Sequence, residues 1–252
     1  MWPLRGMGAP GPMPTPLNPA LTTPPHLEGM RHVFAALLIL LASPAFAGAW
    51  MRDVGSGFVA LSYSHDRDRA NLGAGAQPMG TWHAEYGFSE RLTFGAHAWA
   101  GETKASGFAF LRLPLTRSSA DRKVSVELGL GAFRENGKAT EAAAKLGFSF
   151  GRGLDTRWGN GWMQVNASAE RRMKTKVSVM KADLMFGVSP NRRTKIMVEF
   201  QAEKEGNNKS QLTIAPTYVR RVSPSTHILL GMNYGVRSSD AIGLRLGTWL
   251  EF

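Results

Sequence analysis

Residues 124–132 are Val-Ser-Val-Glu-Leu-Gly-Leu-Gly-Ala, an alternation of apolar residues with small or polar ones. Successive side chains of a β-strand point to opposite faces, so alternation with period two is typical of a strand that has one apolar face. The same alternation recurs at 144–150 and at 228–237. The sequence therefore predicts a chain built mainly from β-strands.

Twelve segments follow this pattern, with turn-forming residues between them. They lie near 57–64, 80–88, 92–101, 106–114, 123–133, 141–150, 161–170, 177–188, 194–204, 210–219, 226–237 and 241–252. None approaches the length of about 20 apolar residues that a transmembrane helix needs. An even number of strands is usual for single-chain bacterial membrane barrels. The predicted fold class is all-β, a transmembrane antiparallel up-and-down barrel of about twelve strands.

The residues on the second face of these strands distinguish a membrane barrel from a soluble β-sandwich or barrel. In a membrane barrel the apolar face contacts lipid and the other face lines a polar lumen, whereas a soluble barrel has its apolar face inside. Here the second face is rich in Gly, Ser, Thr, Asn and Gln, with charges of both signs. Small polar residues suit a narrow interior, so the pattern favours the membrane barrel.

The lengths of the connections predict that both chain termini lie in the periplasm. Outer-membrane barrels have short periplasmic turns and longer extracellular loops. With periplasmic termini, 89–91 and 189–191 are short periplasmic turns, and 65–79 is the longest extracellular loop. The connection at 151–160 is longer than this topology predicts. Pro216 lies inside a predicted strand, where it should mark a bulge or a weakened ladder.

Residues 30–47 have the pattern of a secretory signal peptide. Met30-Arg31-His32 precedes the apolar stretch 33–41, and Ala45-Phe46-Ala47 supplies small residues at the cleavage positions, so cleavage is predicted after Ala47. Residues 1–29 contain 8 of the 14 prolines and show no periodicity. We interpret residues 1–29 as a disordered Pro-rich extension outside the true protein, and 48–252 as the barrel.

Charge and cysteine content narrow the classes of function. The net charge of +11 raises the possibility of a nucleic-acid partner. However, the basic residues occur as short clusters at segment ends, such as Arg171-Arg172 and Arg192-Arg193, rather than along one face. No nucleic-acid partner is therefore predicted. The absence of cysteine excludes disulfides and thiolate sites.

The last strand resembles the C-terminal β-signal of bacterial outer-membrane barrels. That signal has a terminal aromatic residue preceded by apolar residues at alternate positions, here Phe252 after Leu250, Leu246 and Leu244. Thr248 is a polar departure from the pattern. The resemblance implies recognition by the barrel-assembly machinery and pairing of the last strand with the first.

A second resemblance is found at 85–95, Glu-Tyr-Gly-Phe-Ser-Glu-Arg-Leu-Thr-Phe-Gly. This hairpin is similar to one that recurs in porin-like outer-membrane proteins of proteobacteria, including the family named after a phenol-degradation-pathway transporter. The resemblance implies an outer-membrane, porin-like barrel and identifies no substrate.

Ionisable residues recur at the positions that should face the lumen. They are His83, Glu85, His97, Arg112, Glu127, Lys145, Glu170, Asp183, Glu199, Glu203, Arg237 and Arg245, with Lys181 and Glu251 in the same pattern. Such residues can set the ion selectivity of a pore. Alternatively, they form a mutually compensating network that fills a narrow interior, because buried charges need partners. Their mixed signs argue against strong selectivity.

The simplest register of the 85–95 hairpin pairs residue 86 with 94 and places His83 opposite His97. Two facing imidazoles with Glu85 nearby could bind a transition metal, but a polar pair lining the lumen needs no metal. With no third ligand, neither a metal nor another cofactor is predicted.

Enzymatic function is the alternative from a different class, and no catalytic residue is predicted. A phospholipase-like barrel would need a Ser/His pair on the lipid face, and no His falls at a predicted lipid-facing position. The predicted loop that contains His65, Asp66 and Asp68 could suit a barrel protease, but such residues are also common in solvated loops.

The sequence therefore predicts an outer-membrane barrel that acts as a small porin-like channel or passive transporter. A closed structural or surface-interaction barrel is the alternative, and an outer-membrane hydrolase is a weaker one. The predicted partners are outer-membrane lipid, the barrel-assembly machinery, small solutes, and lipopolysaccharide phosphates. The phosphates would meet Arg171, Arg172, Lys174 and Lys176 in one extracellular loop.

Overall fold

The structure is a computed structural model that describes residues 48–71, 73 and 75–252. The proposed leader at 30–47 and the Pro-rich extension at 1–29 lie outside the described residues. The strands are β1 (Gly57–Asp68), β2 (Gln77–Ser89), β3 (Leu92–Gly101), β4 (Lys104–Pro114), β5 (Arg122–Glu135), β6 (Glu141–Thr156), β7 (Gly159–Arg172), β8 (Ser178–Asn191), β9 (Thr194–Glu205), β10 (Gln211–Arg221), β11 (Thr226–Arg237) and β12 (Ala241–Glu251). Among the described residues, no helix is long and apolar enough to cross a membrane.

The twelve strands form one closed antiparallel barrel in which each strand pairs with its neighbours in sequence. β12 closes the barrel against β1, and the ladder continues beyond β12 because Phe252 N–H donates to the Gly57 carbonyl at 3.0 Å. The prediction of a twelve-stranded up-and-down barrel is confirmed. Several strands are longer than predicted, because alternation is lost near the strand ends while the backbone ladder continues.

Both chain ends of the barrel lie at one end of it, which we call the terminal end. The prediction of a long connection at 151–160 is wrong. β6 runs to Thr156 and β7 begins at Gly159, which leaves a two-residue turn. The loop predicted at 65–79 is likewise shortened, because β1 extends to Asp68 and β2 begins at Gln77.

Alternation of exposure along the strands defines an apolar outer wall. In β11, the residues at 228, 230, 232, 234 and 236 are Ile, Leu, Met, Tyr and Val, and all are exposed. The residues between them are buried. Because an apolar surface of this extent would be unfavourable in water, the outer wall is suited to contact lipid.

The lumen at the terminal end differs from the expected polar interior. Seven buried apolar side chains meet there: Phe58, Trp162, Met185, Met197, Val219, Leu229 and Trp249. All of them occupy inward positions of β1 and β7–β12. The sequence pattern did not reveal this cluster, because at these positions the strands are apolar on both faces and the alternation cannot distinguish lumen from lipid.

Pro216 interrupts the ladder between β10 and β11 as expected. The register includes Ile214 opposite Tyr234 and resumes at Thr217 opposite Gly231. Proline has no N–H to donate, which accounts for the gap. The register shift itself lies elsewhere, between Leu212 and Thr213.

Candidate functional site

The residues before β1 enter the barrel at the terminal end. Residues Gly48–Arg52, which we call the lumen segment, lie inside the lumen, and Asp53–Ser56 form the turn that joins them to β1. The Gly48 carbonyl accepts a hydrogen bond from Ser125 Oγ at 2.7 Å. Ala49 is 2% exposed and Trp50 packs against the apolar cluster. The turn requires a positive φ at Gly55 (79°), a conformation that glycine adopts without strain.

Arg52 attaches the lumen segment to the barrel wall. Its guanidinium Nε lies 2.9 Å from Glu85 Oε2, and its backbone N–H donates to Thr93 Oγ1 at 3.3 Å. The guanidinium also lies over the ring of Phe58, 4.3 Å from the centroid. Since both charged side chains are almost fully buried, this ion pair is shielded from solvent.

Glu85 is the first member of a charged network that crosses the wall from β2 to β6. Arg112 donates to Glu85 at 2.5 Å and to Glu127 at 2.7 Å, and Lys145 lies 3.1 Å from the second oxygen of Glu127. Gly95 lies between β2 and β4 on this wall, and a β-carbon there would overlap the ring of Phe110. Because position 95 has no side chain, the ring of Phe110 can pack there, beside the charged network.

His83 and His97 face each other as the hairpin register predicts. Their ring centroids are 6.4 Å apart and the rings are stacked. His83 Nε2 is hydrogen-bonded to Glu85 Oε1 at 2.9 Å. Among the described residues, no group of three or more His, Cys, Asp or Glu side chains could hold a metal ion. The pair therefore extends the polar network of Glu85.

The opposite wall of the lumen has a separate set of charges. Lys181 pairs with Glu203 at 2.9 Å, and Arg245 Nη1 lies 3.9 Å from Glu199. Arg245 also donates to Thr217 Oγ1 at 2.7 Å. Asp183 belongs to the same wall and has no ion pair within the described part of the chain.

The remaining expected lumen residues lie at different depths. Glu170 lies on an inward position of β7 and its Oε1 is 3.9 Å from Arg172 Nε. Glu251 is partly buried beside Phe252 at the terminal end. Arg237 follows the inward alternation of β11 but is exposed at the far end, and it is outside the residues that line the main cavity.

A cavity of about 460 Å³ lies in the lumen between the two charged walls. Its lining extends from Gly48 and Phe58 near the terminal end to Glu170 and Val179 near the far end. Four basic and four acidic side chains line it: Arg112, Lys145, Lys181, Arg245, Glu127, Glu170, Asp183 and Glu199. The cavity is therefore lined by charges of both signs in equal number together with apolar side chains such as Phe58 and Met185, and the lumen segment forms part of its boundary at the terminal end.

The groups considered for hydrolysis do not form a catalytic arrangement. The prediction that His65 lies in a loop is wrong: it lies within β1, and its exposed side chain is on the outer face with Leu61 and Tyr63. The expectation that no His lies on the outer face is therefore wrong as well. Its cross-strand partners are Leu244 and Pro78, neither of which is a nucleophile. Asp66 points inward instead and accepts a hydrogen bond from Asn233 at 3.1 Å. Strand alternation thus separates His65 from Asp66.

The four basic residues proposed to bind phosphate also differ in exposure. Arg172 is buried, pairs with Glu205 at 2.7 Å and lies over the ring of Phe133. Arg171, Lys174 and Lys176 are exposed at the far end of the barrel. Only these three therefore remain available to an external phosphate.

Comparison by sequence finds no family model and no curated protein that matches this chain. Comparison by structure finds the COG4313 outer membrane channel from Pseudomonas putida F1, with a TM-score of 0.56 and 11% identity, covering 84% of this chain and 100% of that one. The NanC porin gives a TM-score of 0.53 at 10% identity, covering 76% and 98%. The KdgM porin gives 0.52 at 7% identity, covering 77% and 99%.

The chain has the fold of an outer-membrane porin. Identities of 7–11% indicate a shared fold and no shared solute. Within this porin fold, the resemblance of 85–95 to phenol-degradation-pathway transporters remains confined to that hairpin, since no family model matches.

Several residues of the site were not identified from the sequence. Arg52 and Trp50 precede the first strand, where no periodicity indicates which way a side chain points. Gln164 and Asn166 lie on the lumen face of β7 with Trp162, and extending the alternation of that strand would have placed them inside. Their amides are neutral, so they do not belong to the ionisable pattern that marks the other lumen positions.

Proposed function

We propose that this chain is a small-solute channel of the bacterial outer membrane whose terminal end is closed by the lumen segment. The observation that supports a channel most directly is the cavity of about 460 Å³, lined by charges of both signs, inside a closed barrel wall. A barrel with a purely structural role would gain stability from a filled interior, since cavities cost packing energy. The apolar outer wall and the porin fold support a location in the outer membrane.

Closure at the terminal end has two parts. The apolar cluster around Trp162 and Met185 fills one side, and the lumen segment with Arg52 fills the other. The first consists of side chains on strands, whereas the second is a short segment outside the ladder. Displacing the lumen segment would therefore widen the passage without breaking any pairing between strands.

The turns support one orientation of the barrel, because outer-membrane barrels have short periplasmic turns and the two-residue turns 90–91, 157–158 and 192–193 lie at the terminal end. We infer that the terminal end faces the periplasm, so that the lumen segment closes the periplasmic side and the cavity is reached from outside. Among proteins of this fold, one KdgM porin structure is a complex with disordered oligogalacturonate. Oligogalacturonate is a useful test solute for this chain, although the balanced lining gives it no evident preference for an anion.

Planar-bilayer recordings on the protein purified from outer membranes test the proposal. The wild type should give small, infrequent current steps. Arg52→Ala should give larger and more frequent steps, because it removes the only charged side chain within Gly48–Arg52 and so loosens the attachment to Glu85. Arg157→Ala is the matched control, since Arg157 is also an arginine at the terminal end but is exposed on a turn.

Folding must be verified for each variant by the difference in gel mobility between unheated and boiled samples. Absence of discrete current in all three folded proteins would contradict the channel and support a closed structural barrel. Equal conductance in all three would contradict closure by the lumen segment.

A further inference from the structure

The amino end of the lumen segment lies against a group of polar side chains with unmet bonding capacity. A β-carbon at Gly48 would overlap the amide ends of both Gln164 and Asn166, so the backbone at position 48 is in direct contact with the two amides. Gln164 Nε2 donates to Asn166 Oδ1 at 2.9 Å. Gln164 Oε1 is buried and accepts no hydrogen bond from any described residue, and the whole residue is 2% exposed. A buried acceptor without a donor is costly, which indicates that a donor is missing.

A carboxylate that has no ion-pair partner within the described part of the chain lies next to these amides. Asp183 is directly opposite Asn166 in the register of β7 and β8, and both line the cavity with Gly48. The nearby cations are engaged elsewhere, Lys181 with Glu203 and Lys145 with Glu127. Asp183 is half-buried, and a carboxylate that is largely withdrawn from water normally has a positive partner. Among residues 48–252 as far as the structure describes them, the group around Gly48 therefore lacks one hydrogen-bond donor and one positive charge.

We propose that the missing group is the α-ammonium of Gly48, created when the leader is removed between Ala47 and Gly48. Proteolytic cleavage at that bond replaces an amide by an amine, which is protonated near neutral pH and donates three hydrogen bonds. Gln164, Asn166 and Asp183 form the site that receives it. Leader removal is thus the step that completes docking of the lumen segment, and it adds a fifth positive charge to the cavity.

One consequence of this inference, that docking closes the channel, rests on the proposed function. The docking itself predicts a specific amino terminus. Mass spectrometry of the protein purified from outer membranes should show a chain that begins at Gly48. A chain that begins at another residue would overturn the proposal.

The docked state can be measured without any current. The chain contains no cysteine, so Ala49→Cys introduces a single thiol beside Gly48, at a position that is 2% exposed. In the processed protein this thiol should react slowly with a water-soluble maleimide. Inserting Gly-Ser between Ala47 and Gly48 moves the ammonium two residues away, and labelling should then become at least about ten-fold faster, in line with the loss of a charged hydrogen bond.

Two substitutions separate the site from general loosening of the barrel. Asp183→Asn should accelerate labelling of the thiol introduced by Ala49→Cys, whereas Asp66→Asn, which alters a lumen carboxylate at the far end, should not. Gln164→Met should accelerate it by comparison with Gln201→Met, since Gln201 donates to Glu199 and not toward Gly48. The rate of trypsin cleavage after Arg52 is a second measure of whether the lumen segment is docked, and it requires no introduced cysteine.

The outcomes distinguish this inference from the proposed function. If the Gly-Ser insertion and Asp183→Asn leave the labelling rate of the introduced thiol unchanged, the ammonium site is wrong, whatever the conductance. If they accelerate labelling while the current stays unchanged, the ammonium site is supported and closure by the lumen segment is contradicted.

Discussion

At the scale of single residues, Glu85 is the most constrained charge of the lumen. Its side chain is fully buried and accepts hydrogen bonds from Arg52, Arg112 and His83. Buried ion pairs are neither strongly stabilising nor dispensable: loss of one partner leaves the others charged in a poorly solvated place. Glu85 thus holds together two features that are distant in sequence, the lumen segment and the wall at β4.

Replacing Glu85 by Gln should lower the free energy of unfolding by about 3 kcal/mol or more, because Arg52 and Arg112 would lose their shared carboxylate. Urea titration in liposomes, followed by tryptophan fluorescence, measures the change. Glu203→Gln is the control: its pair with Lys181 is partly exposed, so a loss of no more than about 1 kcal/mol is expected. If the two variants lost equal free energy of unfolding, burial of Glu85 would not increase its contribution to stability.

At the scale of elements, β12 has two roles that the structure allows to be separated. Its inward residues complete the lumen, and its outward residues Leu244, Leu246 and Leu250, with Phe252, form an exposed apolar row. The Phe252 side chain is 72% exposed, so few packing contacts depend on it, although its backbone pairs with Gly57. The exposed side chain is therefore available to the assembly machinery, which remains a prediction.

Replacing Phe252 by Ser should reduce the amount of protein in the outer-membrane fraction several-fold, while refolding of the purified variant in detergent should be almost unchanged. Phe88→Ser is the matched control, because Phe88 is 62% exposed near the same end of the barrel and lies outside the C-terminal signal. The assembly role would be refuted if both variants reached the membrane in equal amounts.

At the scale of the whole molecule, the balance of charges in the cavity determines how ions would be selected. With four basic and four acidic described side chains around the cavity, the formal charges of the side chains sum to zero, and the proposed ammonium of Gly48 would add one positive charge while the lumen segment is docked. The excess positive charge of the chain must then reside elsewhere, and exposed arginines such as Arg117 and Arg192 at the terminal end account for part of it. Net charge and lumen charge are therefore separate properties in this protein.

Under a salt gradient, the open channel of the Arg52→Ala variant should show a reversal potential close to zero, because displacement of the lumen segment also removes the Gly48 ammonium from the cavity. Adding Lys181→Glu changes the lining from four of each sign to three basic and five acidic residues, so the reversal potential should shift toward cation selectivity. Lys138→Glu, in an exposed loop, makes the same change of charge outside the cavity and should have little effect. If Lys138→Glu shifted the reversal potential by the same amount, the loops rather than the cavity would determine ion selectivity.

Local sequence was sufficient to predict the barrel, because side chains alternate along every strand and a lipid-facing wall must be apolar. It also predicted the pairing of His83 with His97, since the parity of a short turn determines which residues face each other. The positions of Glu85, Arg112 and Glu127 on the inner face followed from the same alternation.

Only the tertiary structure determined which of these charges pair. Glu85 meets Arg112 across β3, and no local pattern specifies contacts between strands that are not neighbours. The apolar cluster at the terminal end is formed by residues from seven strands, so it appears only when the barrel closes. The lumen segment is outside any periodic element, and its place beside Gln164 and Ser125 depends on contacts with strands that are distant in sequence.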